Sequence, residues 1–316
     1  MAAIETEELA KDFLVGFWRP RPYRALDGLT LSVAEGEVFG FLGPNGAGKS
    51  TTLKLLMQLL YPTSGTARIL GRPVGDVAIR QRIGFLPENP YFYDHLTAEE
   101  LLRYFGRLFG LSGSDLTARV AHVLDDVGIG AERRLRLRQY SKGMVQRVGL
   151  AQALLNEPDI VFLDEPMSGL DPLGRRHVRQ LMLRLRDRGC TVFFSSHILS
   201  DAESLCSRVA ILAQGKLVAS GQMSDILAFQ LRGWELVVAN LTDDTRRALT
   251  PRVRSMTALA DDRYTIDLPP EDSPDEVLHV LGQGGAKVIS LNPLRETLED
   301  YFVQSVSAAA NRQTGL

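Results

Sequence analysis

The chain has 316 residues, of which 45% are hydrophobic and 23% are charged, so it has the composition of a globular protein with room for one large domain and a smaller one. Its 36 basic and 38 acidic residues nearly cancel, which argues against a nucleic-acid partner, because chains that bind nucleic acids usually carry a basic excess. Two cysteines exclude a disulfide framework and favour a reducing compartment, and no apolar run reaches the length of about 18 residues that a membrane span needs.

The first part of the chain has the pattern of strands that lead into a glycine-rich turn and a helix. Residues 29–33 alternate between apolar and polar side chains, and residues 38–42 are a continuous apolar run, so each segment is a predicted strand. The spacing of the apolar residues predicts a helix over 49–60. From about 89 to 157 the chain is predicted to be mostly helical, as a subdomain of its own.

Two helix starts are predicted within this helical subdomain. Thr97 is followed three residues later by Glu100, which predicts a capping box and a helix that ends near Gly110. Ser114 and Asp115 predict the N-cap of a second helix.

Two apolar runs with a helix between them predict a parallel βαβ unit. Residues 160–163 and 191–194 are short and apolar, as buried strands are. Asp171 is followed by a proline, which predicts the start of a helix that ends at Arg188. With the preceding elements, this order predicts an α/β domain over residues 1–221.

Residues 222–316 have a different pattern, typical of a small α+β accessory domain. A predicted helix over 224–231 leads into this domain. The further predicted elements are strands over 234–241, 263–268 and 287–291 and helices over 274–281 and 295–302.

A phosphate-binding loop is predicted between the strand at 38–42 and the helix that follows it. Residues 43–51 fit the pattern G-x-x-x-x-G-K-[ST], in which glycines let the backbone amides wrap a phosphate chain. Lys49 would place a positive charge on the β- and γ-phosphates, and Ser50 would place a hydroxyl on Mg²⁺. The predicted phosphate-binding residues are Gly43, Asn45, Gly46, Ala47, Gly48, Lys49, Ser50 and Thr51.

Polar side chains follow both strands of the predicted βαβ unit. Asp164 would hold Mg²⁺ and Glu165 would orient an attacking water, although these carboxylates are also compatible with a solvated strand end. His197 follows the second strand and would contact the γ-phosphate, unless it has a structural role only. Because the carboxyl ends of parallel strands meet at one edge, we expect these residues to lie near Gly43.

A second helix start carries a possible anion site. Ser141 precedes an apolar helix, so it is a good N-cap, and Gly143 would let a phosphate approach the backbone closely.

Taken together and in this order, the motifs resemble those of the ATP-binding subunit of an ABC transporter, over about residues 4–221. The motifs correspond as follows: residues 43–51 resemble the Walker A loop, 140–144 the signature, 160–165 Walker B, 168–171 the D-loop with Asp171, and His197 the switch histidine. The resemblance implies a P-loop ABC ATPase core with a mixed sheet and a helical subdomain. It also implies hydrolysis of ATP with Mg²⁺.

The resemblance further implies how such a subunit works. Two copies, or this chain and a homologous ATPase, would dimerise head to tail around two ATP molecules. Each ATP would then contact Lys49 of one copy and the signature residues Ser141, Lys142, Gly143 and Met144 of the other. Hydrolysis would drive a transmembrane permease, in an exporter whose ATPase lies on the cytoplasmic side of the cell membrane. The alternative is a soluble ABC ATPase that acts on the ribosome or on DNA.

Three positions depart from the family pattern. Glu88 stands where the family has a glutamine, so it is either a metal-facing carboxylate or only a loop residue. Lys142 and Met144 replace a glycine and a glutamine of the signature.

The resemblance also implies an aromatic ring that stacks on adenine. Phe13 is the best match, and Trp18 and Tyr23 are the alternatives. The extra residues 16–23 are expected to form either a surface hairpin or a contact with a partner or the membrane interface.

Overall fold

The computed structural model describes residues 2–16, 18–226, 231–260 and 262–295. It divides them into two compact units, of which the first ends at Met223 and the second begins at Ser224. No helix within the described ranges is both long and apolar enough to cross a bilayer.

The first unit contains two sheets and the helices that pack on them. Its elements are β1 (Ala2–Val15), β2 (Arg21–Ala34), β3 (Val38–Leu42), α1 (Lys49–Leu56), β4 (Ser64–Ile69), β5 (Arg72–Pro73), α2 (Val77–Arg80), β6 (Ile83–Leu86), α3 (Ala98–Leu108), α4 (Gly113–Asp126), α5 (Lys142–Leu154), β7 (Ile160–Asp164), α6 (Pro172–Asp187), β8 (Thr191–Ser196), α7 (Leu199–Glu203), β9 (Arg208–Ala213) and β10 (Lys216–Gln222). A one-turn helix, α8 (Met223–Ile226), follows them.

The six-stranded sheet has the order β10-β9-β3-β8-β7-β6 and is mixed. Its strands pair in parallel except β10, which is antiparallel to β9. Every residue of β3, β7 and β8 is buried, because helices and a second sheet cover both faces of these strands. The prediction of a parallel βαβ unit from β7, α6 and β8 is therefore confirmed.

The core of this unit fixes the central strands relative to one another. Phe193 of β8 stacks on Phe39 with ring centroids 5.6 Å apart, and it also contacts Phe41 and Phe162 at 5.4 and 5.7 Å. All four rings are fully buried. Burial of each such side chain contributes about 1.5–3 kcal/mol to folding, so the ends of β3, β7 and β8 are held firmly in place.

The second sheet of this unit is antiparallel, with the order β2-β1-β4-β5. Its first two strands form a long hairpin in which Val15 pairs with Arg21 and Phe13 with Tyr23. The expectation of a hairpin over the extra residues is confirmed. Trp18 lies near its tip and is 91% exposed.

Helix starts were predicted with mixed success. The capping box is confirmed, since Thr97 Oγ1 accepts a hydrogen bond from the Glu100 amide and the Glu100 carboxylate accepts one from the Thr97 amide. The N-cap at Ser114 and Asp115 is wrong, because α4 already begins at Gly113 after Ser112.

Three predicted helices differ in extent. The helix predicted over 49–60 ends at Leu56, because Gln58 has a φ of +54° that no helix continues. Of the helix predicted over 224–231, residues 227–230 lie outside the described residues and Leu231 already begins a strand. The helix predicted over 295–302 is wrong at Arg295, which ends a strand, and lies otherwise outside the described residues.

The second unit has the element order βαββαβ and an antiparallel sheet. Its elements are β11 (Leu231–Ala239), α9 (Asp243–Leu249), β12 (Ser255–Ala258), β13 (Arg263–Leu268), α10 (Pro274–Gln283) and β14 (Lys287–Arg295). The strand order is β12-β13-β11-β14, which is the ferredoxin-like arrangement. Its core is apolar and includes Leu236, Val238, Ile266 and Leu281.

Candidate functional site

The carboxyl ends of three neighbouring parallel strands carry the polar residues of the site. In register, Leu42 at the end of β3 pairs with Ser196 of β8, and Asp164 at the end of β7 pairs with Ser195. The amide of Gly43 donates to Ser196 O at 3.2 Å. The residues that follow the three strands are thus brought to one edge, as the sequence predicts for parallel strands.

The loop at residues 43–48 needs glycine at two positions for steric reasons. Gly43 has a φ of +151°, and a Cβ there would lie 2.1 Å from the carbonyl oxygen of Leu212. Gly48 has a φ of +106°, and its Cβ would lie 2.6 Å from the carbonyl oxygen of Ala25. Both glycines therefore let the loop pass close to the neighbouring backbone and turn directly into α1.

A cavity of about 430 Å³ lies over this loop, which is a size typical of small-molecule sites. It is lined by Phe13, Tyr23, Ala25, Asn45, Gly46, Gly48, Lys49, Ser50, Thr51, Glu88 and Glu165. Two of the three aromatic candidates for base stacking lie there, because they are cross-strand partners in the hairpin. Trp18 does not line the cavity.

Lys49 is buried at the base of the cavity and bound from several sides. Its Nζ donates to the carbonyl oxygens of Gly43 and Pro44 at 2.7 and 3.2 Å. The same Nζ lies 3.3 Å from Oε1 of Glu165. Since a buried ammonium is costly without partners, these oxygens are what keep the lysine in the loop.

Glu165 links Lys49 to His197. One carboxylate oxygen, Oε1, faces the lysine and has no hydrogen bond to any residue that the structure describes. The other, Oε2, accepts a hydrogen bond from Nδ1 of His197 at 2.8 Å. A carboxylate only accepts, so this contact puts the proton of a neutral imidazole on Nδ1. Glu165 is 8% exposed and has a φ of +49°, a strained conformation for this residue type. The carboxylate is thus held between two groups that can be positively charged.

Ser195 positions both carboxylates and was missed by sequence reasoning. Its hydroxyl donates to Oδ1 of Asp164 at 2.6 Å and accepts the amide hydrogen of Glu165 at 3.0 Å. Its place at the end of β8, in register with Asp164, is the signal that could have found it. Gln146 was also missed, and its buried amide reaches the carbonyl oxygens of Glu165 and Pro166 at 3.5 Å.

The oxygen ligands available for Mg²⁺ are few. Ser50 and Glu88 line the cavity, Glu88 from an exposed position, and Asp164 is buried with one oxygen bound to Ser195. No group of three metal-ligating side chains occurs among the residues that the structure describes. This donor set fits Mg²⁺, because that ion typically takes one or two protein oxygens and completes its shell with phosphates and water.

The signature segment lies outside the cavity. Ser141 is the N-cap of α5, and its hydroxyl accepts a hydrogen bond from the Met144 amide at 3.3 Å. A Cβ on Gly143 would lie 3.2 Å from Leu170, and the side chain of Lys142 packs beside Gly169. Within the described part of one chain, none of the segment's residues 141–144 lines the cavity over the loop.

Asp171 caps the helix that the sequence predicts. Its Oδ1 accepts a hydrogen bond from the Gly174 amide at 2.9 Å, and α6 begins at the next residue. The capping bond fixes the position of the loop before α6.

Known proteins are similar to this chain in sequence and in fold. A family model described as ABC transporter matches residues 26–168. An uncharacterised ABC transporter ATP-binding protein of Synechocystis sp. is 43% identical and covers 96% of this chain and 84% of its own length. The Nod factor export ATP-binding protein I of Paraburkholderia xenovorans is 36% identical, covering 73% of this chain and 74% of its own.

A solved structure is similar as well. It is a dimeric ATP-binding cassette in a post-hydrolysis state bound to ADP and Pi, with a TM-score of 0.65 and 27% identity. The match covers 70% of this chain and 98% of that one.

Proposed function

The chain belongs to the ABC transporter family of ATP-binding subunits, and from this membership we propose that it powers an exporter whose permease is a separate membrane protein. As an ABC ATPase, it hydrolyses ATP to ADP and phosphate. The observation that carries the assignment of residues is the contact series Lys49–Glu165–His197 at the edge of the sheet, directly below the phosphate loop. Residues 1–221 form the cassette in this proposal, and residues 222–316 form an accessory domain.

The cavity over the loop binds the nucleotide. The backbone amides of Asn45, Gly46 and Gly48 and the N-terminus of α1 face the phosphates, and Lys49 supplies the positive charge. Phe13 stacks on the base, with Tyr23 beside it. Lys11 Nζ lies 5.3 Å from the centroid of the Phe13 ring, so the base takes the other face of the ring.

Three oxygen-bearing residues hold Mg²⁺ together with the phosphates of ATP. They are Ser50, Asp164 and Glu88, of which the first and last line the cavity. When bound, the ion neutralises charge that develops on the phosphates. The Ser195 hydroxyl keeps Asp164 oriented toward this task.

Binding of ATP changes the partners of Lys49. Phosphate oxygens compete with Glu165 for the ammonium, because they carry more negative charge and accept charge-assisted hydrogen bonds. Glu165 is then free to accept a hydrogen bond from the attacking water and to orient it. His197 stays bound to Oε2 and holds the carboxylate in place.

A second cassette completes each site. Because Ser141, Lys142, Gly143 and Met144 lie outside the cavity of their own chain, they are available to a neighbouring one. The N-terminus of α5 then faces the γ-phosphate of the other copy, or of a homologous ATPase. Asp171, fixed by its capping bond, lies in the loop between the two sites.

A permease docks on the surface near the start of the helical subdomain. Tyr91 is 94% exposed and Tyr93 is 61% exposed, and exposed aromatic rings are enriched in interfaces. The ATPase is held on the cytoplasmic face of the membrane through this partner. Export is supported by the relative that is named for Nod factor export. The near-neutral charge argues against nucleic acid.

The test of the catalytic assignment is Glu165→Gln. We expect hydrolysis to fall at least a hundredfold, while the dissociation constant of ATP, measured by equilibrium dialysis, stays within about threefold. Glu157→Gln is the matched control, because its side chain is 75% exposed and is not one of the residues that line this cavity. Full turnover by the Glu165 variant would remove the assigned role.

The test of the transport assignment is the partner that the full chain retains. Purification from gently solubilised membranes should recover a protein with several membrane spans in stoichiometric amount. Recovery of ribosomes or DNA instead would favour the alternative function, a soluble ABC ATPase.

A further inference from the structure

A buried carboxylate outside the assigned ATP-binding machinery lies one helical turn beyond His197. Asp201 is in α7 and is 4% exposed. Burial of a carboxylate costs several kcal/mol unless it is well paired and hydrogen-bonded. The stability of the fold therefore depends on how well Asp201 is paired.

The pairing of Asp201 is incomplete. Its Oδ1 lies 4.0 Å from Nη2 of Arg179, which is the outer limit of an ion pair. In the part of the chain that the structure describes, the buried Oδ2 has no hydrogen-bond partner, and neither has the buried Nε of Arg179. The pair thus gains little of the energy that a close, bidentate contact would give.

Four charged groups face this carboxylate, and together they do not fully offset its burial. Burial raises the pKa of the Asp201 carboxyl; Arg175 and Arg179 oppose that effect, Glu165 adds to it, and His197 opposes it weakly. A pKa that is raised in the folded state means that folding disfavours the ionised form. Ionisation of Asp201 is therefore less favourable in the folded chain than in the unfolded chain.

Asp201 connects two helices that start at the site. Its own helix, α7, follows the loop that carries His197. Arg175 and Arg179 come from the first two turns of α6, which begins immediately after Asp171. The carboxylate lies between these helices, so its charge acts on both loops through rigid elements.

We propose that Asp201 is a positioning residue for ATP hydrolysis, whose buried charge, facing Arg175 and Arg179, sets the position of the helix behind His197 relative to the helix behind Asp171. The proposal rests on the proposed function, because it assigns Asp201 to the same hydrolytic site. A residue that costs stability yet orders a site is typical of functional positions. A purely structural ion pair would instead stabilise the fold and leave the catalytic site unaffected.

The experiment compares Asp201→Asn with the full-length wild type. We expect kcat to fall about tenfold or more, since small displacements of a catalytic group are costly, while the dissociation constant of ATP stays within about twofold. The melting temperature should stay the same or rise, because asparagine removes the buried charge. Asp201→Glu keeps the charge and should restore part of kcat. Asp187→Asn is the control, an aspartate at the exposed end of α6.

A second variant tests the partner. Arg179→Met should lower kcat to a similar extent, and the double variant should be no slower than Asp201→Asn alone, because both changes remove one interaction.

Three results would overturn the proposal: wild-type kcat in Asp201→Asn, a variant that melts lower or fails to fold, and equal losses of kcat and ATP affinity. The last two would show a structural ion pair. A wild-type chain that lacks ATPase activity would refute the proposed function instead. The ATPase assay of the wild type therefore distinguishes failure of the proposed function from failure of the role of Asp201.

Discussion

The two compact units place their polar side chains in opposite ways. In the first, charged residues are buried at the carboxyl edge of a mostly parallel sheet, among them Lys49, Asp164 and Glu165. In the described residues of the second, Thr245 is the one buried polar side chain, and the core is otherwise apolar. Parallel strands deliver their following loops to one edge, whereas antiparallel hairpins distribute loops over both ends. Buried charge therefore marks the unit that contains the candidate site.

The largest effect on ATP binding is expected where this buried charge is removed. Lys49→Ala should weaken ATP binding about tenfold to a hundredfold, because an ammonium–phosphate hydrogen bond contributes about 1.5–3 kcal/mol. Isothermal titration of ATP into the full chain measures the change.

The matched control for that prediction is on the same helix. Lys54→Ala removes an exposed lysine from the next turn of α1 and should leave the affinity unchanged. Equal affinity of wild type and the Lys49 variant would contradict the assignment of the phosphate loop.

In the second unit, loss of an apolar core side chain should lower stability and leave ATP binding unchanged. Leu236 is fully buried in β11, so Leu236→Ala should destabilise that unit by about 2–5 kcal/mol through lost contacts and a cavity. Urea unfolding followed by the fluorescence of Trp234, in a Trp18→Phe background, reports on this unit. ATP affinity should be unaffected.

Val237→Ala provides the comparison for Leu236. Val237 is the next residue of the same strand and only half-buried, on the opposite face of the sheet. Val237→Ala should therefore lower the stability of the second unit much less than Leu236→Ala does. A similar loss from both variants would show that the second unit does not depend on a one-sided core.

Sequence reasoning predicted the elements with local signals and missed those that depend on distant partners. The buried strands β3 and β7 and the caps at Thr97 and Asp171 follow from runs and residue types, and the structure has them. The long strand β1 was missed, because register shifts in its pairing with β2 break the alternation of apolar and polar residues.

In the candidate site, too, the sequence predicts what local motifs determine and misses what depends on distant partners. The motifs placed Lys49, Glu165 and His197 at one edge, but not the contacts between them, because side-chain contacts depend on the register of β7 and β8. Tyr23 rather than Trp18 joins Phe13 at the cavity, and only the cross-strand pairing of the hairpin decides that. Asp201 could not be singled out, because its significance lies in its burial.

The smallest effect is expected at the rim, where charge is exposed. Glu88 lines the cavity from an exposed position, so Glu88→Gln should raise the Mg²⁺ concentration needed for half-maximal ATPase activity by only about twofold to fivefold, in line with the weak interactions of exposed charges. The Glu157→Gln variant, which removes an exposed carboxylate that does not line this cavity, should show no such shift. An unchanged Mg²⁺ dependence in the Glu88 variant would make Glu88 a loop residue only. The magnesium site would then consist of Ser50 and Asp164 and would not include Glu88.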